Sequence, residues 1–124
     1  MYYFILGKPG KASISSIVTA PNTARVFWNR VLHNGNYELQ EVTYQLEYQL
    51  WEENALPNDG ICSACLRNNL NSVIAEHTIV SLRTYTTYSI RIIATNKAGS
   101  SYSGWRVFKT KGELLNFFYV VLSD

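Results

Sequence analysis

The chain has 124 residues, of which 47% are hydrophobic, 14% are aromatic and only 16% are charged, and its net charge is +2. This length and composition predict one globular domain with a buried core and exclude an intrinsically disordered chain. The eleven basic residues form no Lys/Arg run, so the basic stripe of a nucleic-acid-binding protein is missing. No apolar stretch reaches the roughly 18 residues of a complete transmembrane helix.

Segments rich in Val, Ile, Thr, Tyr and Trp alternate with turn residues, a pattern that predicts an all-β sandwich or barrel. We expect a lead-in over residues 1–8, a domain over residues 9–110 and a tail over residues 111–124. The predicted strands are Ile14–Thr19, Ala24–Asn29, Val42–Leu50, Val73–Leu82, Tyr88–Asn96 and Trp105–Thr110. The apolar run in the tail is the start of a following element, the first part of a membrane span or a non-native read-through, and we assign it no function.

Two of these strands alternate with a period of two, as a half-buried antiparallel strand requires. Their apolar faces contribute most of the predicted core, which comprises Val26, Trp28, Tyr44, Leu46, Leu82, Tyr88, Ile90 and Ile92. The opposite faces are predicted to point outward; they carry Gln45, Glu47, Ser89, Arg91, Ile93 and Thr95.

The alternation stops between Glu52 and Asn71, which predicts a long loop. The loop contains Cys62 and Cys65 in a CxxC spacing, which serves dithiol redox enzymes and supplies half of many zinc sites. No βαβ pattern and no second CxxC accompany it, and His33 and His77 would complete a zinc site only by proximity. We favour a local disulfide in an oxidising compartment, with two free thiols, or metal or redox chemistry, as alternatives. No bound metal or cofactor is expected.

Catalytic motifs are missing from the sequence. There is no G-x-S-x-G elbow, and the only aspartates are Asp59, in a predicted turn, and Asp124, at the end of the chain. Glu52 and Glu53 are adjacent, so on a strand they would point to opposite faces and would not act as a carboxylate pair. We therefore predict that the domain is not an enzyme.

The stretch from Leu82 to Gly99 resembles the most diagnostic part of the fibronectin type III family, Leu-x-Pro-x-Thr-x-Tyr followed by a strand that ends in Ala-x-Asn-x-x-Gly. The matching residues are Leu82, Thr86, Tyr88, Ala94, Asn96 and Gly99. The resemblance implies a seven-stranded antiparallel Greek-key sandwich. It also implies a core tryptophan at Trp28, a third strand around Tyr44, and a tyrosine corner at Tyr88, whose hydroxyl bonds the backbone a few residues upstream. Thr84 and Tyr85 depart from the usual proline and glycine, which predicts a looser turn.

Tyr102-Ser103-Gly104-Trp105-Arg106 is weakly similar to the Trp-Ser-x-Trp-Ser box of cytokine receptors. In that box, indole rings stack with arginines of the neighbouring strand. Stacking of Arg91 or Arg106 on Trp105 would contribute roughly 0.5–1 kcal/mol at an exposed site. We favour an ordinary strand tryptophan at position 105.

The family resemblance implies a non-catalytic spacer and protein-binding module, taken from the ectodomain of a cell-adhesion or receptor protein and flanked by further modules. An intracellular, muscle-type structural module and the ligand-binding half of a cytokine-type receptor are the alternatives. Partner contact is expected on end loops or on an exposed sheet face, with the Arg30–Asn36 and Asn96–Gly104 loops as candidates. The candidate contact residues are Trp51, Arg91, Asn96, Lys97, Ser100 and Tyr102.

Overall fold

A computed structural model describes residues 7–31, 42–51 and 56–112, and in these ranges the chain forms β-strands and no helix. The strands are β1 (Ser13–Thr19), β2 (Ala24–Asn29), β3 (Thr43–Leu50), β4 (Leu66–Asn69), β5 (Glu76–Ile79), β6 (Thr87–Asn96), β7 (Gly99–Tyr102) and β8 (Arg106–Lys109). The same ranges contain no helix that is long and apolar enough to cross a membrane. The candidate residues His33, Glu52 and Glu53, most of the Arg30–Asn36 loop and the apolar run of the tail lie outside the described residues.

The strands form two antiparallel sheets that pack face to face. One sheet has the order β1-β2-β5, and the other has the order β4-β3-β6-β7, with β8 also paired to β6. The chain crosses between the sheets from β2 to β3, from β4 to β5 and from β5 to β6, which gives a Greek-key connection. The fold is therefore the antiparallel sandwich that the sequence predicts.

The last two strands are the two halves of one edge strand. β7 pairs with the end of β6 and β8 pairs with its beginning. Between them, the Ser103 N–H donates to the Ile92 carbonyl, and the Ile92 N–H donates to the Ser103 hydroxyl, both over 2.8 Å. The Ser103 hydroxyl oxygen thus takes the place of a backbone carbonyl acceptor. The edge strand can bulge at this point while the Ile92 N–H keeps a hydrogen bond. Counted as one, β7 and β8 bring the eight strands to the expected seven positions.

The region after β3 differs from the prediction. β4 lies inside the segment that was predicted as a loop, and it pairs with Gln45–Tyr48 of β3. β4 is an edge strand with three exposed residues and no apolar face, so it lacks the alternation by which strands are recognised. The predicted strand Val73–Leu82 shortens to β5 because the Asn71 side chain accepts the N–H groups of Val73 and Ile74 and turns the chain there.

The core lies between the two sheets and is formed by the apolar faces of their strands. All eight residues predicted for it are buried. Tyr44 anchors one side, where its hydroxyl accepts the Val31 N–H over 3.1 Å, and Tyr88 stacks on Phe108 with ring centroids 5.6 Å apart. The buried Trp28 indole N–H has no hydrogen-bond partner among the described residues.

Tyr88 forms a tyrosine corner, because its hydroxyl accepts the Arg83 N–H over 2.9 Å. The turn before it is well held rather than loose. Tyr85 adopts a left-handed backbone (φ 49°), the conformation that glycine favours, and its N–H donates to the Lys111 carbonyl over 3.0 Å. The Thr86 N–H also donates to the Thr110 hydroxyl, so the residues that follow β8 close the turn that the missing proline and glycine would otherwise shape.

The described chain enters and leaves the sandwich at opposite ends. The Gly7 carbonyl accepts the Asn96 side-chain amide where β6 ends. At the other end, the Lys111 N–H donates to the Ala20 carbonyl, just after β1, over 3.1 Å. β1 and β8 therefore run in the same direction, and the ten residues of β6 set the distance between the two ends at roughly 30 Å.

Candidate functional site

The sequence predicts that Arg91 lies on an open sheet face, but in the structure Arg91 is fully buried. Its neighbours on the same side of β6, Ser89 and Ile93, are also buried, and so is Glu47 on β3. The prediction of an outward-facing, solvated set is therefore wrong for these four residues. A segment of chain lies over the outer face and excludes water from it, which periodicity within a strand does not reveal.

Arg91 and Glu47 form an ion pair across the sheet. They occupy directly opposed positions of β3 and β6. The Arg91 Nε and Nη2 atoms donate to Glu47 Oε1 over 3.1 and 2.9 Å, and both side chains are 0% exposed. A buried charge must be paired and hydrogen-bonded to be tolerated, because the protein interior does not solvate it as water does.

Two further guanidinium N–H groups are satisfied by the segment that covers them. We name residues 56–65 the cysteine loop. The Gly60 carbonyl accepts from Arg91 Nη2 over 2.5 Å, and the Pro57 carbonyl accepts from Nη1 over 3.4 Å. Pro57 also accepts the Trp105 indole N–H over 2.7 Å. The loop is thus attached to the sheet through its own backbone carbonyls.

Two aromatic rings flank the guanidinium group. Its central carbon lies 4.3 Å from the centroid of the Tyr102 ring and 4.6 Å from that of Trp105. Cation–π contacts reach about 2 kcal/mol when they are desolvated. Trp105 precedes β8 and is a stacking partner of Arg91, rather than the ordinary strand tryptophan that we favoured from the sequence.

The cysteine loop contains a disulfide. Cys62 and Cys65 are joined with an S–S distance of 2.03 Å, and the Cys65 N–H donates to the Cys62 carbonyl in the same turn. Cys62 is buried, Cys65 is half-buried, and both sulfurs lie within 4.8 Å of a carboxylate oxygen of Glu47. The bridge therefore lies directly over the ion pair.

The sequence places Glu47 on the outward face with Arg91 but does not predict that the two residues form a buried ion pair. The second oxygen of Glu47, Oε2, accepts one hydrogen bond among the described residues, a 3.4 Å approach from the half-exposed Arg67 on β4. A signal was available, because Glu47 and Arg91 become cross-strand partners once the two alternating strands are aligned. The burial of Glu47 and Arg91 depends on the cysteine loop, and no sequence pattern predicts it.

Four of the candidate contact residues lie together where β6 turns into β7. The Asn96 side chain accepts the Ala98 N–H over 2.8 Å and binds Gly7, so it shapes the turn. Lys97 is exposed, and Ser100 and Tyr102 are half-buried on β7. The latter two line a cavity of about 470 Å³ together with Lys8, Lys11, Asp59, Gly60, Gly99 and Ser101.

Trp51 lies at the opposite end of the sandwich from those four residues. Its N–H donates to the Thr87 carbonyl over 2.9 Å, and 48% of its surface is exposed. The preceding residue, Leu50, borders a groove of about 460 Å³, and two exposed apolar side chains of this groove are Leu66 and Val80. The groove is lined by Tyr48, Gln49, Leu50, Ala64, Leu66, Val80, Ser81, Leu82, Arg83 and Tyr88.

Two groups near this groove have shifted pKa values. Burial raises the pKa of Tyr48, with a smaller contribution from the neighbouring Tyr88 and opposition from a hydrogen bond to Asn68. Burial lowers the pKa of His77, which lies on β5 with its Nε2 atom 2.9 Å from Asn68 Oδ1. Burial is the main cause of both shifts, so they follow from packing.

The two-sheet Greek-key sandwich with its tyrosine corner defines an immunoglobulin-like β-sandwich domain. The family model described as the fibronectin type III domain matches residues 7–109, and the chain belongs to this family. Fibronectin type III domains are typically non-catalytic modules, found in extracellular adhesion proteins such as contactin and also in intracellular proteins. No curated protein sequence matches the chain.

Solved structures agree with this assignment. The fibronectin type III domain of human contactin 1 is 21% identical, has a TM-score of 0.66, and is matched over 94% of this chain and 90% of its own. Chicken contactin 1 domains FN1–FN3 are 19% identical, with a TM-score of 0.63 over 84% of this chain and 33% of theirs. Titin domains A168–A170 are 20% identical, with a TM-score of 0.54 over 83% of this chain and 31% of theirs. At these identities the likeness concerns the fold.

Proposed function

We propose that this domain is a non-catalytic spacer and protein-binding module of a cell-adhesion or receptor ectodomain. The observation that carries the proposal is the course of the chain, which enters beside Asn96 and leaves beside Ala20, at opposite ends of the sandwich. A domain with this course adds its full length, roughly 30 Å, to a head-to-tail array. The likeness to contactin, an adhesion protein, supports the same role.

The groove beside Trp51 is the surface on which we place the partner protein. Three large apolar side chains that line it are exposed, Leu50 (40%), Leu66 (61%) and Val80 (61%), and the exposed Trp51 (48%) follows Leu50 in the chain. Apolar side chains clustered around a concave surface are typical of protein interaction sites, and Trp is the residue type most often energetically dominant there. Arg91 is buried and is withdrawn as a contact residue, whereas Asn96, Lys97, Ser100 and Tyr102 remain candidates for contact with a neighbouring module.

A cell-binding assay tests the partner site. The full chain, biotinylated at one end and clustered on streptavidin to gain avidity, is titrated onto cells of the source organism. We expect saturable binding that protease treatment of the cells abolishes and that Trp51→Ala and Val80→Asp reduce at least ~10-fold. Val107→Asp is the matched control, because Val107 is equally exposed (53%) but lies on β8, outside the groove. Unsaturable binding, or equal loss in the control, contradicts the proposal.

One observation favours a second candidate, the ligand-binding half of a cytokine-type receptor. The stacking of Arg91 between Tyr102 and Trp105 is the aromatic–arginine arrangement that such a receptor requires. Sequencing of the full-length transcript separates the candidates. A tandem array with a signal peptide and a membrane span supports the adhesion role, a single further sandwich directly upstream supports the cytokine-type receptor, and cytoplasmic modules without a signal peptide support an intracellular structural role.

A further inference from the structure

The two cysteines of the cysteine loop lie against a buried carboxylate. The sulfurs of Cys62 and Cys65 and a carboxylate oxygen of Glu47 all lie within 4.8 Å of one another. Two thiolates and a carboxylate at this spacing are the ligand types of a tetrahedral zinc site, in which zinc lies about 2.3 Å from sulfur and about 2.0–2.2 Å from oxygen. From the sequence, only His33 and His77 were considered as residues that could complete such a site, because alternation predicts that Glu47 points into solvent.

Glu47 has an oxygen available for this role. Oε1 accepts both hydrogen bonds from Arg91, whereas the one hydrogen bond to Oε2 among the described residues is the long 3.4 Å approach from Arg67. The Arg67 side chain is 43% exposed, so it is free to turn into solvent when a cation arrives. The bond between Arg91 and Oε1 holds the carboxylate in place, as partners of metal ligands commonly do.

We propose that the reduced form of this domain binds one zinc ion through Cys62, Cys65 and Glu47, with water completing the coordination. The cysteine loop is then closed over Arg91 by a disulfide under oxidising conditions and by a metal ion under reducing ones. This inference is independent of the proposed partner site.

The redox step is a two-electron reduction of the disulfide. A cellular dithiol reductant attacks the half-buried Cys65 sulfur, the S–S bond breaks, and Cys62 leaves as a thiolate that takes up a proton. The second thiol of the reductant then attacks the mixed disulfide and releases Cys65 as a thiolate, which takes up a proton. The reductant leaves as a cyclic disulfide, so the products are two protein thiols and one oxidised reductant. Zinc replaces the two thiol protons, which are released to solvent.

Metal titration of the full chain tests the proposal. The disulfide is reduced with an excess of a water-soluble phosphine, which takes an oxygen atom from water and becomes the phosphine oxide. Co²⁺ or Cd²⁺ is then added as a spectroscopic substitute for zinc. We expect one equivalent to produce tetrahedral cobalt bands or a cadmium–thiolate charge-transfer band, zinc to displace either metal, and the oxidised chain to give no signal. A signal of the same size from the oxidised chain overturns the proposal.

Variants identify the ligands. Cys62→Ser and Cys65→Ser are each expected to abolish the charge-transfer band, and Glu47→Gln to weaken binding by more than ~10-fold, the loss that removal of even an outer partner causes. Two controls remove other acids and should leave metal binding unchanged. Glu76→Gln removes an exposed acid outside the cysteine loop, and Asp59→Asn removes the acid within it. Because Glu47→Gln leaves Arg91 unpaired, the double variant Glu47→Leu/Arg91→Met serves as a second test, since it removes the carboxylate and the charge together. Tight binding by this folded double variant, or loss in Asp59→Asn instead, overturns the assignment.

Discussion

The buried ion pair makes a quantitative prediction about stability. Arg91→Ala removes one partner and leaves Glu47 as an unpaired carboxylate with no exposed surface, a change that costs about 3–5 kcal/mol. The substitution also removes four hydrogen bonds and two cation–π contacts. Against a total stability of about 5–15 kcal/mol, the variant is expected to be barely folded or strongly destabilised.

The chain provides a matched control for this change. Arg25 and Glu76 form an ion pair of nearly the same length, 2.8 Å against 2.9 Å, on cross-strand neighbours, but their side chains are 53% and 38% exposed. An exposed pair contributes about 0.2–1 kcal/mol, because water screens the charges. Arg25→Ala is therefore expected to cost no more than about 1 kcal/mol, and the difference between the two variants reports the burial of Arg91 together with its additional hydrogen bonds and ring contacts.

Urea unfolding measures both variants. With a slope of about 1–3 kcal/mol/M, Arg91→Ala is expected to lower the midpoint by ~1 M or more. The double variant Glu47→Leu/Arg91→Met is expected to recover most of the loss, because replacing a whole buried pair with apolar side chains is often neutral or stabilising. If Arg91→Ala proves as mild as Arg25→Ala, water reaches the pair in solution and the cysteine loop does not cover it as described.

Three further predictions concern single contacts. Tyr88→Phe removes the acceptor of the Arg83 N–H and should destabilise the domain by about 1–3 kcal/mol; thermal unfolding unchanged from wild type would refute the role of the tyrosine corner. Ser103→Ala leaves the buried Ile92 N–H without its acceptor and should cost a similar amount, whereas Ser103→Thr, which retains the hydroxyl, should cost less; equal losses in the two variants would argue against the bond. The pKa of His77 is lower in the folded chain than its ordinary value of about 6.5, so the unfolded chain binds more protons and stability should fall as the pH drops through about 6.5. His77→Gln should flatten that dependence, and a wild-type slope in the variant would assign the dependence to other groups.

The core and the tyrosine corner follow from local sequence. Leu46 and Ile92 are predictable because a period-two pattern identifies the buried face of a strand whatever lies beyond it. Tyr88 is predictable from the spacing of Leu82, Thr86 and Tyr88, since its hydrogen bond reaches only five residues upstream. Patterns of this kind depend on neighbours within one or two strands.

The candidate site was only partly predictable for the opposite reason. Trp51 was selected because it follows the end of an apolar face, which is a local feature, and it is exposed, next in the chain to Leu50, which lines the groove. Arg91 was selected as a solvated contact and is fully buried, since residues 31–34 positions away in the sequence, Pro57 and Gly60, supply the carbonyls that cover it. The sequence of β6 alone therefore does not predict the contact between Arg91 and the cysteine loop.

What the sequence by itself determined is the set of main strands, the core face of each and the family to which the chain belongs, because these depend on alternation and short spacings. What only the tertiary structure decided is the fate of the outer face, where the cysteine loop brings Cys62 and Cys65 to Glu47 and closes over Arg91. The physical reason is that the burial of a charged side chain depends on which segment packs over the face of the sheet that carries it. A segment without hydrophobic periodicity, such as this loop, has no sequence pattern from which its position on the sheet could be predicted.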